Sequence, residues 1–321
     1  MQTTKQCPLC DSENIETIHE RRYRFPGDDV QGHLMDGTYV RLWILFERVL
    51  GNRSEIIFRS CLCKDCGFVF SNPRFSDDDL RIKYEAIFEL GSVKHRLQRN
   101  PASNLDVRAR RIYKLIQRYV YAKSPSQPRV LDYGGASGYN LIPFVDTCEC
   151  GILDYEEWKL PTGVTYLGKD ASDLGKDDAF DVILLLHTLE HVPDPKLLLE
   201  TLYRFLKEQG LIYVEVPLGC FREWRSLDEP LTHINFFSEE SLYNCFKDCG
   251  LHVLHLSTSF QWITHEKTWC LNIIGSKSVD GRPKLPTPIP TKKQINRALY
   301  YAPYLFSGRS LRKAIKKFTG I

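Results

Sequence analysis

The sequence predicts a doubly wound α/β domain, flanked by an N-terminal segment and a C-terminal extension of different character. Three observations predict it. From Arg129 onward, short apolar runs alternate with helix-patterned ones; an apolar run, Val130 to Tyr133, passes straight into small residues at Gly134 to Gly138; and two Cys-x-x-Cys pairs stand apart from this region. Short apolar strands separated by helices imply a parallel sheet covered on both faces.

The elements follow in order. Residues 1–75 contain both cysteine pairs and close on Asn72-Pro73. Between the pairs, Tyr39 to Phe46 are rich in aromatic and aliphatic side chains, which read as a small satellite core, with a substrate lid as the alternative. Over 76–123 a helical connector is expected. Asp77, Asp78 and Asp79 lead into Leu80, Tyr84, Ile87 and Phe88, and Leu105, Ile112, Leu115, Ile116 and Tyr119 recur at helical spacing. Ser124-Pro125-Ser126-Gln127-Pro128 then reads as a linker, because proline cannot continue a helix.

Within 124–275, strands are expected at Arg129 to Tyr133, Glu149 to Asp154, Thr165 to Leu167, Phe180 to His187 and Leu211 to Val216. A Leu-rich helix is expected from about Pro195 to Lys207, and two more strands after a helix from Ser238 to Cys249. Ser238 suits the cap of that helix, with Glu239 and Glu240 favourably placed in its first turn, whereas Ser241 is not expected to complete a capping box. Residues 276–321 form the extension.

A doubly wound sheet binds nucleotides in the crevice beyond the carboxyl ends of its strands, where small residues permit close backbone approach. The glycines taken alone also fit an ordinary tight turn. A dinucleotide fingerprint needs glycines at i, i+2 and i+5; counted from Gly134, the later positions hold Ala136 and Tyr139, so that reading fits poorly. Asp154, ending the second strand, is placed to accept hydrogen bonds from ribose hydroxyls.

Taken together, Leu131 to Gly138, Asp154, Lys169-Asp170-Ala171-Ser172 and the run from Phe180 to Pro195 resemble class I S-adenosylmethionine-dependent methyltransferases over about residues 129–275. The resemblance implies S-adenosylmethionine as cofactor and assigns roles by position. Gly134 and Gly138 form the turn around the methionine part, with Asp132, Gly135 and Ala136 beside them as cofactor-binding residues. Asp154 holds the ribose, Asp170 and Ala171 contact adenine, and His187 walls the pocket. Ala136 stands where the family usually has a third glycine.

Methyl transfer from a sulfonium is an in-line displacement, so alignment is the larger task and removal of a hydroxyl proton the smaller one. His191, Glu190 and His233 are the candidate bases, since the elbow after Leu186 and the segment before Ser238 both face the crevice. Glu190 and His191 equally suit the entrance of a helix, and His233 equally suits packing there. With its cysteine pairs the chain resembles zinc-containing sugar methyltransferases, some of which methylate carbon. Those relatives carry a Glu-His pair where this sequence has Thr232-His233, and a further large C-terminal domain where about 46 residues follow here. Both departures favour O-methylation of a sugar hydroxyl.

Cys7-Pro8-Leu9-Cys10 and Cys63-Lys64-Asp65-Cys66 each offer two thiolates at the spacing that wraps one face of a tetrahedral zinc, across a gap of 52 residues. Four thiolates leave no open coordination position, so the zinc is expected to be structural, with Cys61 as an alternative ligand.

Charge divides the chain. Lys and Arg total 43 against 40 Asp and Glu, yet residues 281–321 hold ten cations and no acid, leaving 33 basic and 40 acidic residues in the other 280. In Ser310 to Phe318, apolar residues fall at i, i+3, i+4 and i+7 among four cations, a basic amphipathic pattern suited to an anionic membrane surface or to docking on the acidic body. The acidic body counts against a nucleic-acid acceptor, although a zinc ribbon joined to a methyltransferase domain also suits an RNA methyltransferase. A non-catalytic binding protein keeping the cofactor fold is the third reading. At 43% hydrophobic and 26% charged, the composition excludes disordered and collagen-like classes. The start lacks the apolar core of a signal peptide, and no apolar run approaches the roughly 18 residues of a membrane span. The expected location is therefore cytoplasmic, with peripheral contact at the inner face of the membrane as an option for the tail.

Overall fold

A computed structural model of the chain describes residues 1–24, 37–51, 53–89, 102–120, 127–218, 232–263 and 266–278, together with 288, 290, 291, 293 and 294. At the N-terminus, β1 (Ile15–Arg24), β2 (Glu55–Cys63) and β3 (Val69–Asn72) form an antiparallel meander, with α1 (Gly37–Ile44) running into a five-residue π-helical turn between β1 and β2. Two helices follow, α2 (Asp77–Glu89) and α3 (Ala102–Gln117). The expected connector helices are thus present. The Tyr39 to Phe46 segment is core, as read from its composition: Val40, Ile44, Leu45 and Phe46 are all buried.

The large sheet starts at β4 (Arg129–Tyr133) and continues with β5 (Glu149–Leu153), β6 (Val164–Gly168), β7 (Phe180–Leu186) and, after α4 (Pro195–Arg204), β8 (Leu206–Pro217). The two-residue β9 (Asn235–Phe236) and α5 (Glu239–Asp248) precede β10 (His252–Ile263) and β11 (Glu266–Ser276). The seven strands run in the order β10-β11-β8-β7-β4-β5-β6. Pairs from β6 to β8 are parallel, and β11 alone runs opposite to its neighbours on both sides. Each expected strand appears, within a residue or two except at β8, which starts five residues earlier.

Alternation along β7 explains why its run is apolar throughout. Successive strand side chains point to opposite faces. Ile183 and Leu185 enter a core with Leu199 and Leu202 of α4 and Leu242 and Phe246 of α5. Val182, Leu184 and Leu186 enter a second core with Ile112 and Ile116 of α3. That second core also takes Leu141 and Phe144 from the element after β4. The sequence predicts a helix there, and the structure has a 3-10 helix (Tyr139–Phe144) containing Pro143, whose missing amide suits a short, tight turn.

Helix starts obey local chemistry. Asp194 caps α4, accepting from the Leu197 amide at 2.8 Å, with Pro195 at the first helical position. At α5 the sequence expectation needs correction: Ser238 Oγ accepts from the Ser241 amide at 3.0 Å, and Ser241 Oγ accepts from the Ser238 amide at 2.9 Å. A hydroxyl both donates and accepts, so serine completes the reciprocal box usually closed by Glu or Gln.

One ionic group ties α3 to the sheet. Glu215 of β8 is fully buried; its Oε1 accepts from Arg108 Nε at 2.9 Å and Nη2 at 2.6 Å, while Arg111 and the Tyr213 hydroxyl reach Oε2. Burial alone would raise this carboxyl, but Arg108, His187 and Arg111 outweigh it and hold it well below the usual range. Among the described residues, no helix is long and apolar enough to cross a membrane.

Removing one partner of a buried pair strands the other charge. Arg108→Leu is therefore expected to lower unfolding stability by about 3 kcal/mol, and the Arg108→Leu/Glu215→Leu double variant by less than the single one, as read from urea denaturation.

Candidate functional site

The crevice is built where β4 and β7 end. After Tyr133 the chain turns through Gly134, Ala136 and Gly138, at φ of 73°, 46° and 69°, and β7 ends in His187 at φ 59°. Left-handed backbone is open to glycine and costs Ala and His about 1 kcal/mol each. At Gly134 the need is also steric, since a Cβ there would lie 2.9 Å from Thr188 Oγ1.

Between these turns lies a cavity of about 290 Å³. Gly134, Ala136, Asp154, His187 and His191, all anticipated from sequence, line it. Asp154 is oriented by its own neighbourhood: Oδ2 accepts from the Ala136 amide at 2.9 Å, and Oδ1 accepts from Trp158 Nε1 at 3.2 Å and the Glu156 amide at 3.3 Å. Burial raises its pKa, with those three donors opposing.

Other anticipated residues sit elsewhere. Asp132 is fully buried beneath the turn, its two oxygens without a hydrogen-bond partner among the described residues, and burial pushes it up to about 7. Gly135 packs onto it, its added Cβ falling 2.6 Å from the Asp132 carboxyl, and Gly138 abuts Pro161. These three shape the turn from below instead of lining the cavity. Asp170 lines a neighbouring cavity of about 540 Å³ with Lys169, Tyr84 and Tyr155, and its Oδ1 accepts from Ser172 N at 2.8 Å and Ser172 Oγ at 2.6 Å. Ala171 packs against the main core.

Sequence reasoning missed the roof. Leu80, Tyr84 and Ile87 of α2 lie over the cavity, and Tyr84 stacks on Tyr155 with ring centroids 5.4 Å apart. Their i, i+4, i+7 spacing was legible, but it reads equally as a stripe facing a core. Tyr155, Trp158 and Thr188 also line it, and adjacency to Asp154 and His187 was the only sequence signal for them.

Glu190, His191 and His233 come together, their ligand atoms all within 4.8 Å of one another. Glu190 is 1% exposed. His187 Nδ1 lies 3.2 Å from Glu190 Oε1, and His191 Nε2 3.8 Å from the same oxygen, neither in hydrogen-bond alignment. The His191 and His233 rings meet edge to face at 4.9 Å. His191 Nδ1 is 2.7 Å from the Thr232 carbonyl oxygen, which can only accept, so Nδ1 carries the hydrogen and Nε2 of the neutral ring is bare. Burial lowers both His191 and His233 to about 3, so both are neutral. His187 differs. Burial disfavours its charge too, but contacts with Cys270, Glu190 and Glu215 outweigh this and hold it well above its ordinary value.

The segment bearing His233 is pinned from the N-terminal sheet. β9 pairs with β3, Phe70 opposite Asn235 and Val69 opposite Phe236. The amides of Ile234 and Asn235 both donate to Glu190 O, at 2.9 and 3.1 Å, and Asn235 Nδ2 donates to the Leu189 and Val192 carbonyls, each at 2.7 Å. Arg74, itself buried, donates to Asn235 Oδ1 at 2.7 Å, Pro193 O at 2.8 Å and Ile234 O at 3.2 Å.

Behind this seam the four anticipated thiols converge. Cys7 and Cys66 Sγ atoms lie 3.7 Å apart, and Cys10 and Cys63 3.6 Å. Four sulfurs bound tetrahedrally at about 2.3 Å would be separated by about 3.8 Å, so the residues fit a zinc ion. Cys61 is outside the cluster, beside Thr17 on β1.

Residues 104–256, somewhat under half of the chain, match the family model described as a methyltransferase domain. This region has the class I methyltransferase fold. Match and fold support an S-adenosylmethionine-dependent methyltransferase. Among solved structures, the chain is similar to an S-adenosylmethionine-dependent methyltransferase from Methanosarcina mazei, at 18% identity and TM-score 0.41 over 52% of this chain and 98% of that one. It is similar also to a possible histamine N-methyltransferase from Thermotoga maritima, at 22% identity and TM-score 0.38 over 53% and 91% of the two chains. A third is a chain from a complex containing the Haloferax volcanii Trm112 methyltransferase activator, at 20% identity and TM-score 0.38 over 56% and 99%. No curated protein matches the sequence.

Arg74→Ala removes donors from three buried oxygens around His233. It is expected to cost about 3 kcal/mol in stability and to speed hydrogen exchange of the Ile234 and Asn235 amides at least tenfold, while exchange in β4 and β7 follows only the global change.

Proposed function

We propose that the protein transfers a methyl group from S-adenosylmethionine to a hydroxyl oxygen of a sugar or sugar conjugate. The observation that carries this reading is that one cavity joins the Gly134, Ala136 and Asp154 wall to the His191 elbow, so the residues read as donor-binding share one space with a candidate base. S-adenosylmethionine, when bound, supplies an electrophilic methyl on a sulfonium. Gly134 and Ala136 would admit its methionine part, Asp154 would accept from its ribose, and Asp170 at the adjoining cavity would serve the adenine side. Asp132, Gly135 and Gly138 support the turn from beneath.

The cavity is lined mostly by apolar and aromatic side chains, with His191 among its few polar groups. Tyr84, Tyr133, Tyr155 and Trp158 line the same cavity, and α2 over it limits access by water. The acceptor oxygen gains the methyl carbon and loses its proton, while the donor's carbon–sulfur electron pair stays on sulfur. With pKa values near 3, His191 and His233 are weak bases on their own. Glu190 is the neighbouring anion able to offset charge arriving there. Zinc in the Cys7, Cys10, Cys63, Cys66 cluster is read as structural, holding the sheet on which β9 is paired.

Calorimetry is expected to show S-adenosylmethionine binding, weakened at least tenfold in Asp154→Ala; no binding by the wild type would favour the non-catalytic reading. With methyl-labelled donor, label is expected in nucleotide-linked sugars or glycans, and label in RNA alone would reject the acceptor assignment.

The thiol geometry predicts one equivalent of zinc per chain in metal analysis, falling below one fifth in Cys63→Ser. A wild-type protein with no zinc would overturn the structural-metal reading.

A further inference from the structure

Glu190 is a buried carboxyl beside His187 and His191, which line the cavity, yet nothing among the described residues donates a well-aligned hydrogen bond to it. Its residue is 1% exposed, and both oxygens lack a partner. Such a group costs several kcal/mol unless something compensates it. His187 supplies part of that through Oε1, but His187 is shared: its other nitrogen lies 3.4 Å from Glu215 Oε1. Oε2 is left over. Two neutral imidazoles stand beside the carboxyl group, one with its bare nitrogen already directed.

That direction is informative. Imidazoles that bind metals almost always donate their second nitrogen to a carbonyl or carboxylate, which fixes the tautomer and aims the lone pair. His191 does this with the Thr232 carbonyl at 2.7 Å, leaving Nε2 3.8 Å from the Glu190 carboxylate. His233 comes from a different segment, pinned by β9 and Arg74, and completes a group of three ligand atoms lying within 4.8 Å of one another. Ligands on an octahedral ion at about 2.1 Å stand about 3.0 to 4.2 Å apart, so only small side-chain movements separate this group from a coordination shell.

We propose that Glu190, His191 and His233 bind one divalent transition-metal cation, of the manganese, iron or zinc type, adjoining the cavity at its His191 wall. Two imidazoles and one carboxylate form a borderline ligand set that leaves coordination positions for oxygen donors. The nearby cations are accommodated: Lys83 lies over the rings of Phe75 and Tyr84, and His187 faces Glu215 as well as Glu190. Arg41 is a third positive charge felt at His233. The role of the ion, though not its existence, rests on the methyl-transfer reading. A hydroxyl oxygen bound to the ion would release its proton to solvent at a lower pH than a free alcohol, with no need for His191 or His233 to receive it.

Manganese(II) tests this without disturbing the thiol cluster, because it favours oxygen and nitrogen ligands over thiolates. Full-length protein carrying a single equivalent of zinc, which the four thiolates take in preference, is titrated with manganese(II) and free ion is read by electron paramagnetic resonance. The wild type is expected to take up one equivalent, with affinity at least tenfold weaker in both Glu190→Gln and His233→Gln, and unchanged in Asp154→Ala. Cooperative unfolding of each variant checks that it is folded, and two substitutions on separate segments guard against the loss of either. No uptake by the wild type, or wild-type affinity in both folded variants, overturns the site. Calorimetry with S-adenosylmethionine on the same samples separates the two readings: cofactor binding without manganese uptake rejects the metal site alone, and manganese uptake without cofactor binding supports the site and rejects its role.

Discussion

Arg74 brings a guanidinium into the seam between the N-terminal sheet and the elbow after β7, where it is 6% exposed. Burial lowers its pKa to about 10, and the site tolerates the charge because three oxygens from two segments converge on it. That convergence also works in reverse. The Pro193 carbonyl belongs to the elbow, and Ile234 and Asn235 to the segment returning after β8, so one planar fork fixes their separation. Asn235 adds the second clamp through the Leu189 and Val192 carbonyls. The distance between Glu190 and His233 is therefore set by a residue of the N-terminal unit, which makes that unit part of the acceptor site's construction. The thiol cluster holds the other end of the same strands: Cys63 ends β2, Cys66 lies in the turn to β3, and β3 pairs β9.

A second buried charge, Glu215, disciplines the opposite wall. Arg108 and Arg111 reach it from α3, one helical turn apart, so the connector helix is registered against β8 by ionic geometry as well as by Ile112 and Ile116. Its remaining contact is His187, and His187 also touches Glu190. The two walls are thus joined through a single imidazole at a strained backbone position. A neutral ring would leave two buried carboxylates sharing too little positive charge, which is why this histidine, alone of the three near the elbow, is held protonated while His191 and His233 are neutral.

Much of this was legible because it is local. The strands of the large sheet were readable from apolar runs, the turn from Gly134 and Gly138, and the thiol pairs from spacing, since each depends on residues within one short window. The serine box at α5 was missed because the usual rule names Glu or Gln, while the chemistry needs only an acceptor that reaches the cap amide. The 3-10 helix escaped because Pro143 is compatible with both an early helical turn and a tight one. What sequence could not give is the roof of α2 over the cavity, the pairing of β9 with β3, or the approach of Arg74. Each depends on segments between about 50 and 160 residues apart, and a stripe such as Leu80, Tyr84 and Ile87 carries no mark of whether it faces core or ligand.

The charge asymmetry takes a sharper form from the few described residues of the extension. Thr291 and Gln294 are both 4% exposed: the Thr291 amide and hydroxyl donate to Glu240 Oε2 at 2.9 and 2.8 Å, and Gln294 Oε1 accepts from the Glu239 amide at 2.9 Å. Thr291 Oγ1 also occupies the space beside Gly67, where an added Cβ would fall 1.9 Å from it. These contacts bring together the thiol knuckle, the start of α5 and the extension, and uncharged side chains of the extension make them. Lys293, the one cation of residues 281–321 among the described residues, is exposed beside them. Attachment of this stretch is therefore a matter of directional hydrogen bonds to an acidic helix start, which hold one register, and not of diffuse attraction between ten cations and an acidic body, which would hold none. Residues 310–318, with the amphipathic pattern, lie outside the described residues, and a truncation meant to isolate their role must begin after Gln294, since an earlier cut would also remove the contacts that brace α5 and Gly67.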